Sequence, residues 1–114
     1  MTVIYKIMSA EDWSAARRAG KVPPADVDRR DGYIHLSTED QVLKTARLHF
    51  AGRNDLVAVA FDAGDFGAAL KWEASRGGAL FPHLYADLEA AMAVRVRRLV
   101  AAGEGAFKFG GDVE

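Results

Sequence analysis

The sequence lacks cysteine: none of its 114 residues is one. That absence excludes disulfide frameworks, thiolate nucleophiles and zinc–sulfur sites. It also lacks an excess of charge of either sign, because 15 Lys and Arg face 16 Asp and Glu, a formal charge of -1. Non-specific nucleic-acid binders are usually strongly basic. The balance therefore disfavours nucleic acid as the default partner, while leaving a local basic patch open.

Long apolar runs are missing too, and none approaches the ~20 residues of a membrane span. Residues Met1–Met8 carry Lys6 within a short apolar run and have no signal-peptide core. We therefore predict a cytoplasmic protein without a membrane partner. Neither G-x-G-x-x-G nor a Walker A motif occurs, so the common phosphate-binding loops are excluded.

The composition that remains is that of a folded domain. Hydrophobic residues make up 50% and charged residues 27% of the chain, close to the average soluble protein. No repeat, low-complexity tract or linker divides the chain, so we expect residues 1–114 to form a single domain. Nothing in the pattern specifies an oligomeric state.

Apolar spacing and capping residues predict two helices in the N-terminal half. The first spans Ala10–Ala19, begins after Ser9, ends at Gly20 and buries Trp13. The second begins after Ser37 or Thr38 and runs to about Phe50. Between them, Lys21–Arg30 contains Pro23-Pro24 and is predicted to be a loop.

Strands are predicted where β-branched and aromatic residues cluster or where apolar and polar residues alternate. The predicted strands and extended segments are Val3–Met8, Tyr33–Leu36, Leu56–Phe61, Leu70–Ala74, Ala79–Tyr85, Met92–Arg97 and Phe107–Phe109. Helices early in the chain and strands later favour an α+β fold with an antiparallel or mixed sheet.

His35 is the first candidate for chemistry. Alternation along a strand places Tyr33, His35 and Ser37 on one face, opposite Ile34 and Leu36. A strand end that feeds a helix leaves backbone N–H groups free for an anion such as a pyrophosphate. We expect replacement of His35 to weaken ligand binding and to leave stability nearly intact. The alternative is a polar outer face of an edge strand, or a satisfied core histidine.

His83 is the second candidate, with Tyr85 on its face if Phe81–Tyr85 is extended after Pro82. We predict that His35 and His83 face one cleft. The alternative is an aromatic loop that packs over the core. His49 is interpreted as structural, because a cation near the end of the second helix complements its dipole.

Other chemistries find less support. A carboxylate such as Asp31, Glu39, Asp62 or Glu73 could join the histidines, but no local metal-ligand signature occurs, so no metal is expected. A triad of Ser37, His35 or His83, and Asp31 is disfavoured, because Ser37 is in no G-x-S-x-G elbow. The arginines at 95, 97 and 98 fit a solvated strand face.

Several motifs together resemble a largely bacterial family known as domain of unknown function 952. They are I-Y-K-I at 4–7, Trp13, D-G-Y-I-H-L-S at 31–37, Gln41, K-W-E at 71–73 and F-P-H-L-Y at 81–85. That family is similar in fold to the ADP-ribosyltransferases, in particular to the branch with RNA 2′-phosphotransferases. The resemblance implies split, mainly antiparallel sheets with NAD in the cleft between them.

The resemblance also implies site residues. His35 and His83 match the two pocket histidines of that branch, and Tyr85 could supply a stacking ring. Glu73 and Glu104 are candidates for the carboxylate that, in transferases of the toxin type, steadies the ribose as positive charge develops, although neither lies in a motif that matches the one around that glutamate. We therefore expect His35, His83 and Glu73 to be catalytic and Tyr33, Ser37 and Tyr85 to bind the ligand.

Three functions follow as hypotheses. The first is a cleft for NAD or a related small-molecule nucleotide, with ADP-ribosyl-type or 2′-phosphate transfer. The second is a non-catalytic sensing or interaction domain that keeps the fold without turnover. The third, an RNA-end-processing protein, needs Arg29, Arg30 or Arg95–Arg98 to line the same cleft.

Overall fold

The structure, a computed structural model, describes residues 1–113. Its strands are β1 Val3–Ser9, β2 Lys21–Val22, β3 Ile34–His35, β4 Ser37–Thr38, β5 Leu56–Asp62, β6 Leu70–Ala74, β7 Leu80–Leu84, β8 Leu88–Glu89, β9 Ala93–Ala101 and β10 Phe107–Asp112. Its α-helices are α1 Ala10–Ala19, α2 Asp26–Asp31 and α3 Glu39–Phe50.

Antiparallel pairing joins the strands into a main sheet and two smaller ones. The main sheet has five strands in the order β10–β9–β5–β1–β4. A three-stranded sheet has the order β3–β7–β6, and β2 pairs with β8. The fold is therefore α+β with mostly antiparallel sheets, as the sequence predicts.

The main sheet is covered on both faces, which explains why β1 and β5 are almost continuously apolar. On one face, Trp13 and Ala16 of α1 pack against residues such as Ile4 and Phe61. On the other face, Val42 and Ala46 of α3 pack with a second buried cluster. Burial of apolar surface on both sides is the main source of stability here.

The predicted helix ends are largely confirmed. Ser9 accepts a hydrogen bond from the N–H of Asp12 at 3.0 Å, and Gly20 ends α1 with a φ of 90°. Thr38 rather than Ser37 precedes α3, and its N–H donates to the side chain of Gln41 at 3.0 Å. Ser37 is instead a strand residue of β4.

The prediction of a loop at Lys21–Arg30 is wrong, because this segment contains β2 and begins α2. Residues 1–113 thus form three α-helices where two helices were predicted. The Asp28 carboxylate accepts from the N–H of Ala25 at 2.8 Å and closes the first turn of α2. Gly32 ends α2 with a φ of 85°.

Strand β9 departs from the predicted alternation. Phe61 pairs with Ala93, but its neighbour Ala60 pairs with Arg95, so Val94 is an extra residue on β9. Such a bulge shifts the side-chain alternation, and Val94 is half exposed instead of facing the core. Among the described residues, no helix is long and apolar enough to cross a membrane.

Candidate functional site

The cleft arises where the chain crosses from one sheet to the other. Strand β3 pairs with β7 in the three-stranded sheet, whereas β4 pairs with β1 in the main sheet. Only Leu36 separates the two strands, so the sheets diverge at this point. A cavity of about 520 Å³ lies there, and its lining includes Lys6, His35, Ser37 and His83.

The register of the three-stranded sheet brings the two candidate histidines together. His35 pairs directly with His83, and Ile34 with Leu84. Directly opposed residues share a face, so the two histidines lie on one face and the buried Ile34 and Leu84 on the other. The predicted single cleft for His35 and His83 is therefore confirmed in its geometry.

Four rings form an aromatic group on this face, built around Tyr33. Its ring stacks on His83 with centroids 4.1 Å apart, and lies 4.6 Å from His35 and 5.2 Å from Tyr85. The two imidazole centroids are 5.5 Å apart. Stacked and tilted arrangements at these distances are favourable for π systems.

Glu73 connects His83 to Tyr85. Its Oε1 atom lies 2.9 Å from Nδ1 of His83 and accepts the Tyr85 hydroxyl at 2.8 Å. The hydrogen bonds from His83 and then from Tyr85 hold the pKa of Glu73 below its usual value. The carboxylate form is thus favoured beside the histidine. The same hydrogen bond to Glu73 raises the pKa of Tyr85.

His35 is held by two carboxylates. Its Nδ1 lies 2.8 Å from Asp28 and its Nε2 lies 2.9 Å from Asp31. Because an ionised carboxylate only accepts hydrogen bonds, a ring bonded to both donates from both nitrogens. His35 thus has no ring nitrogen left for a ligand while both contacts persist, and its replacement should also affect stability, contrary to our expectation from the sequence.

Asp28 is the residue that sequence reasoning missed. It is 2% exposed and accepts the Lys6 ammonium at 2.9 Å and the His35 N–H at 3.0 Å. Burial alone would raise the pKa of Asp28, but the Lys6 charge and these hydrogen bonds hold it below its usual value. In the sequence Asp28 lies among other charged residues, a pattern typical of a solvent-exposed segment. One feature of the sequence could have indicated a buried carboxylate. Lys6 lies within an apolar strand, and a buried ammonium group requires a counter-charge.

The backbone beside His35 also differs from the prediction. The N–H of His35 donates to Asp28, and the N–H of Leu36 donates to the Pro82 carbonyl at 3.1 Å. The expected free donors for a pyrophosphate are therefore occupied. Ser37 lines the cavity, but its hydroxyl donates to Thr45 at 3.1 Å.

The cavity wall includes only part of the predicted site. His35, His83 and Ser37 line it, whereas Tyr33, Glu73 and Tyr85 belong to the adjoining sheet face. Arg29 and the third histidine, His49, also line it. Among the lining residues that the structure describes, none is Arg30 or an arginine of β9. No cluster of three or more metal-ligating side chains occurs within the described residues.

Comparisons with known proteins agree with this architecture. The crystal structure of protein CC0527 from Caulobacter crescentus is 44% identical, has a TM-score of 0.88 and is matched over 94% of each chain. Its solution NMR structure is 45% identical, with a TM-score of 0.82 over 93% of this chain and 91% of that one. A search of curated proteins found no match. A family model described as "Protein of unknown function (DUF952)" matches residues 7–96, so the chain belongs to the DUF952 family.

Proposed function

We propose that the cleft binds NAD or a related nucleotide at its two histidines and that the chain catalyses ADP-ribosyl-type transfer. The observation that carries this proposal is the stack of Tyr33 on His83, whose Nδ1 is hydrogen-bonded to Glu73. Divergent antiparallel sheets with a cavity at their junction support an ADP-ribosyltransferase-like fold. A cavity of about 520 Å³ falls within the ~300–1,000 Å³ of small-molecule sites.

Ring recognition belongs to Tyr33 and Tyr85, on the sheet face that adjoins the cavity at His83. Tyr33 already contacts three other rings, and Tyr85 is 42% exposed beside it. A flat nicotinamide or adenine ring would extend this aromatic group by stacking. The hydrogen bond to Glu73 fixes the direction of the Tyr85 ring, which lowers the conformational cost of binding.

His83 is oriented to act as a base. Glu73 only accepts when ionised, so the Nδ1 of His83 donates to it and Nε2 remains an acceptor. His83 is 3% exposed yet lines the cavity. A carboxylate that fixes the tautomer of a histidine is a general way to prepare the second nitrogen for proton transfer.

NAD would enter as substrate and donor. The bond from ribose C1′ to the nicotinamide nitrogen breaks with its electron pair leaving on nicotinamide, an acceptor hydroxyl oxygen bonds to C1′, and its proton passes to Nε2 of His83. Glu73, kept ionised by its hydrogen bonds, stabilises the positive charge that develops on the ribose. His35, clamped by Asp28 and Asp31, supports the cleft wall beside His83.

A second function is favoured by a different observation. Both ring nitrogens of His35 are hydrogen-bonded to carboxylates, and one oxygen of Glu73 is hydrogen-bonded to both His83 and Tyr85. Saturated hydrogen bonding of this kind suits a rigid binding site as well as a reactive one. The alternative is a sensing domain that binds the nucleotide without turnover.

Titration calorimetry with NAD and ADP-ribose tests binding, and release of nicotinamide from NAD tests turnover. His83→Ala should weaken binding, and Glu73→Gln should abolish nicotinamide release while retaining much of the binding. Glu11→Gln, an exposed change on α1, is the matched control. Binding without release by the wild type would support the sensing domain. Wild type that binds neither compound would refute the proposal.

A further inference from the structure

His49, interpreted from the sequence as structural, lies on the wall of the same cavity as His35 and His83. The chain has three histidines in all, so every one of them lines this cavity. His49 is exposed on the last turn of α3 and has no hydrogen bond or ion pair with another described residue. A histidine that only complements the dipole of α3 would not need to border the cavity.

The geometry of α3 sets how far His49 lies along the wall from the pair His35 and His83. The hydrogen bond from Ser37 to Thr45, at 3.1 Å, fixes the middle of α3 next to β4, the strand that follows β3 after Leu36. His49 follows Thr45 by one helical turn, a rise of about 6 Å. Arg53 lies beyond the end of α3 and lines the cavity too. The wall thus runs from the histidine pair, past Thr45, to His49 and Arg53.

Arg53 is held in position with donors to spare. Its Nε and Nη2 donate to the Asp55 carboxylate at 2.9 and 2.8 Å. A guanidinium has five N–H donors, so Nη1 and one N–H of Nη2 remain for a ligand. Lys6, the other strong cation deep in the wall, is already paired with the buried Asp28.

Among the described lining residues, Lys6, Arg29 and Arg53 are cationic and Asp12 is the single carboxylate. Each of the three cations is paired with a carboxylate off the wall, Asp28, Asp26 and Asp55 respectively, so the wall offers an anion hydrogen-bond donors and no excess of positive charge. Apolar side chains such as Met8 and Phe50 lie on the same wall.

We propose that His49 and Arg53 bind the phosphate groups of a nucleoside diphosphate whose ring and ribose occupy the His83 region. The inference rests on the proposed function and deepens it, because it specifies a ligand with a pyrophosphate. His49 and Arg53 thus take the place of the backbone N–H groups beside His35, which are occupied, as the predicted phosphate site. The arginine fork suits phosphate oxygens, and His49 supplies a second donor.

Calorimetry with NAD, nicotinamide riboside and inorganic pyrophosphate separates the two regions. His49→Ala and Arg53→Ala should each weaken NAD about tenfold to a hundredfold and leave nicotinamide riboside unchanged. Arg47→Ala, on the same helix but off the cavity wall, is the matched control. Arg53→Lys keeps the charge but loses the fork, and should give an intermediate affinity. Circular dichroism melts verify that each variant is folded.

The experiment distinguishes failure of the phosphate site from failure of the proposed function. If both variants bind NAD with wild-type affinity while His83→Ala does not, the phosphate site is wrong and the proposed function stands. If wild type binds pyrophosphate through His49 and Arg53 but binds neither nicotinamide compound, the phosphate site stands and the proposed function fails. Wild type that binds none of the three probes overturns both.

Discussion

Replacement of Asp28 by asparagine should destabilise the fold strongly. The carboxylate accepts hydrogen bonds from Lys6, from the ring and backbone N–H of His35, and from Ala25. The side chains of Lys6 and Asp28 are 10% and 1% exposed, so Asp28→Asn leaves a buried ammonium without its counter-charge. Breaking a buried pair in this way costs about 3–5 kcal/mol.

Urea denaturation followed by circular dichroism gives the free energy of unfolding for wild type and variant. The matched control is Asp87→Asn, which breaks the pair with Lys21, whose two side chains are 63% and 74% exposed. The control should behave like wild type, because exposed pairs contribute little. A loss below about 1 kcal/mol for Asp28→Asn, against the range for buried pairs, would refute the buried-pair argument.

The pH dependence provides an independent check. Because the folded pKa of Asp28 is lowered, its contribution is complete above the unfolded value of about 3.9. The contribution is then lost as the pH falls through the folded pKa. Wild type should therefore lose stability on acidification below about pH 4, and the difference from Asp28→Asn should shrink. A constant difference from pH 7 to pH 2 would contradict the assigned coupling.

Three further changes have definite expected results. Trp13→Ala should cost roughly 3–5 kcal/mol in urea melts, because the ring is 5% exposed against the main sheet; a cost near zero would place it outside the core. Gly32→Ala should destabilise by about 1 kcal/mol, because its φ is 85°; an unchanged melting curve would contradict that strain. Tyr85→Phe removes a donor to Glu73, so the pKa of Glu73, followed by carbon-13 NMR, should rise towards its usual value, and no change would contradict the assigned hydrogen bond.

The elements that the sequence predicts well are those with a strong local signal. Alternation and β-branched residues mark β1 and β5, and Ser9 and Gly20 mark both ends of α1. The α2 helix was missed because it is short and charged. Its first turn depends on Asp28, whose further partners lie outside the helix: His35 beyond its end and Lys6 in β1, 22 residues away in sequence. Local patterns cannot encode a helix that is stabilised by such tertiary contacts.

The features of the candidate site likewise differ in how well the sequence predicts them. The shared face of Tyr33 and His35 follows from period-2 alternation, and the sequence predicts one cleft for His35 and His83; that the two residues pair directly across β3 and β7 is known only from the structure. The burial of Asp28, the occupied nitrogens of His35 and the place of His49 on the cavity wall were not predicted. Each depends on how α2 and α3 pack against the sheets, and this is a property of the whole fold.

The Lys6–Asp28 pair has a geometric consequence for the cleft. Lys6 belongs to the main sheet, yet its ammonium also donates to the carbonyl of His35 at 3.3 Å in the three-stranded sheet. Asp28 in turn holds the His35 ring and backbone. One buried ion pair therefore connects both sheets and α2 at the point where the chain crosses between them. Apolar residues could fill the same volume with equal stability, but only directional partners would fix the position of His35 relative to His83.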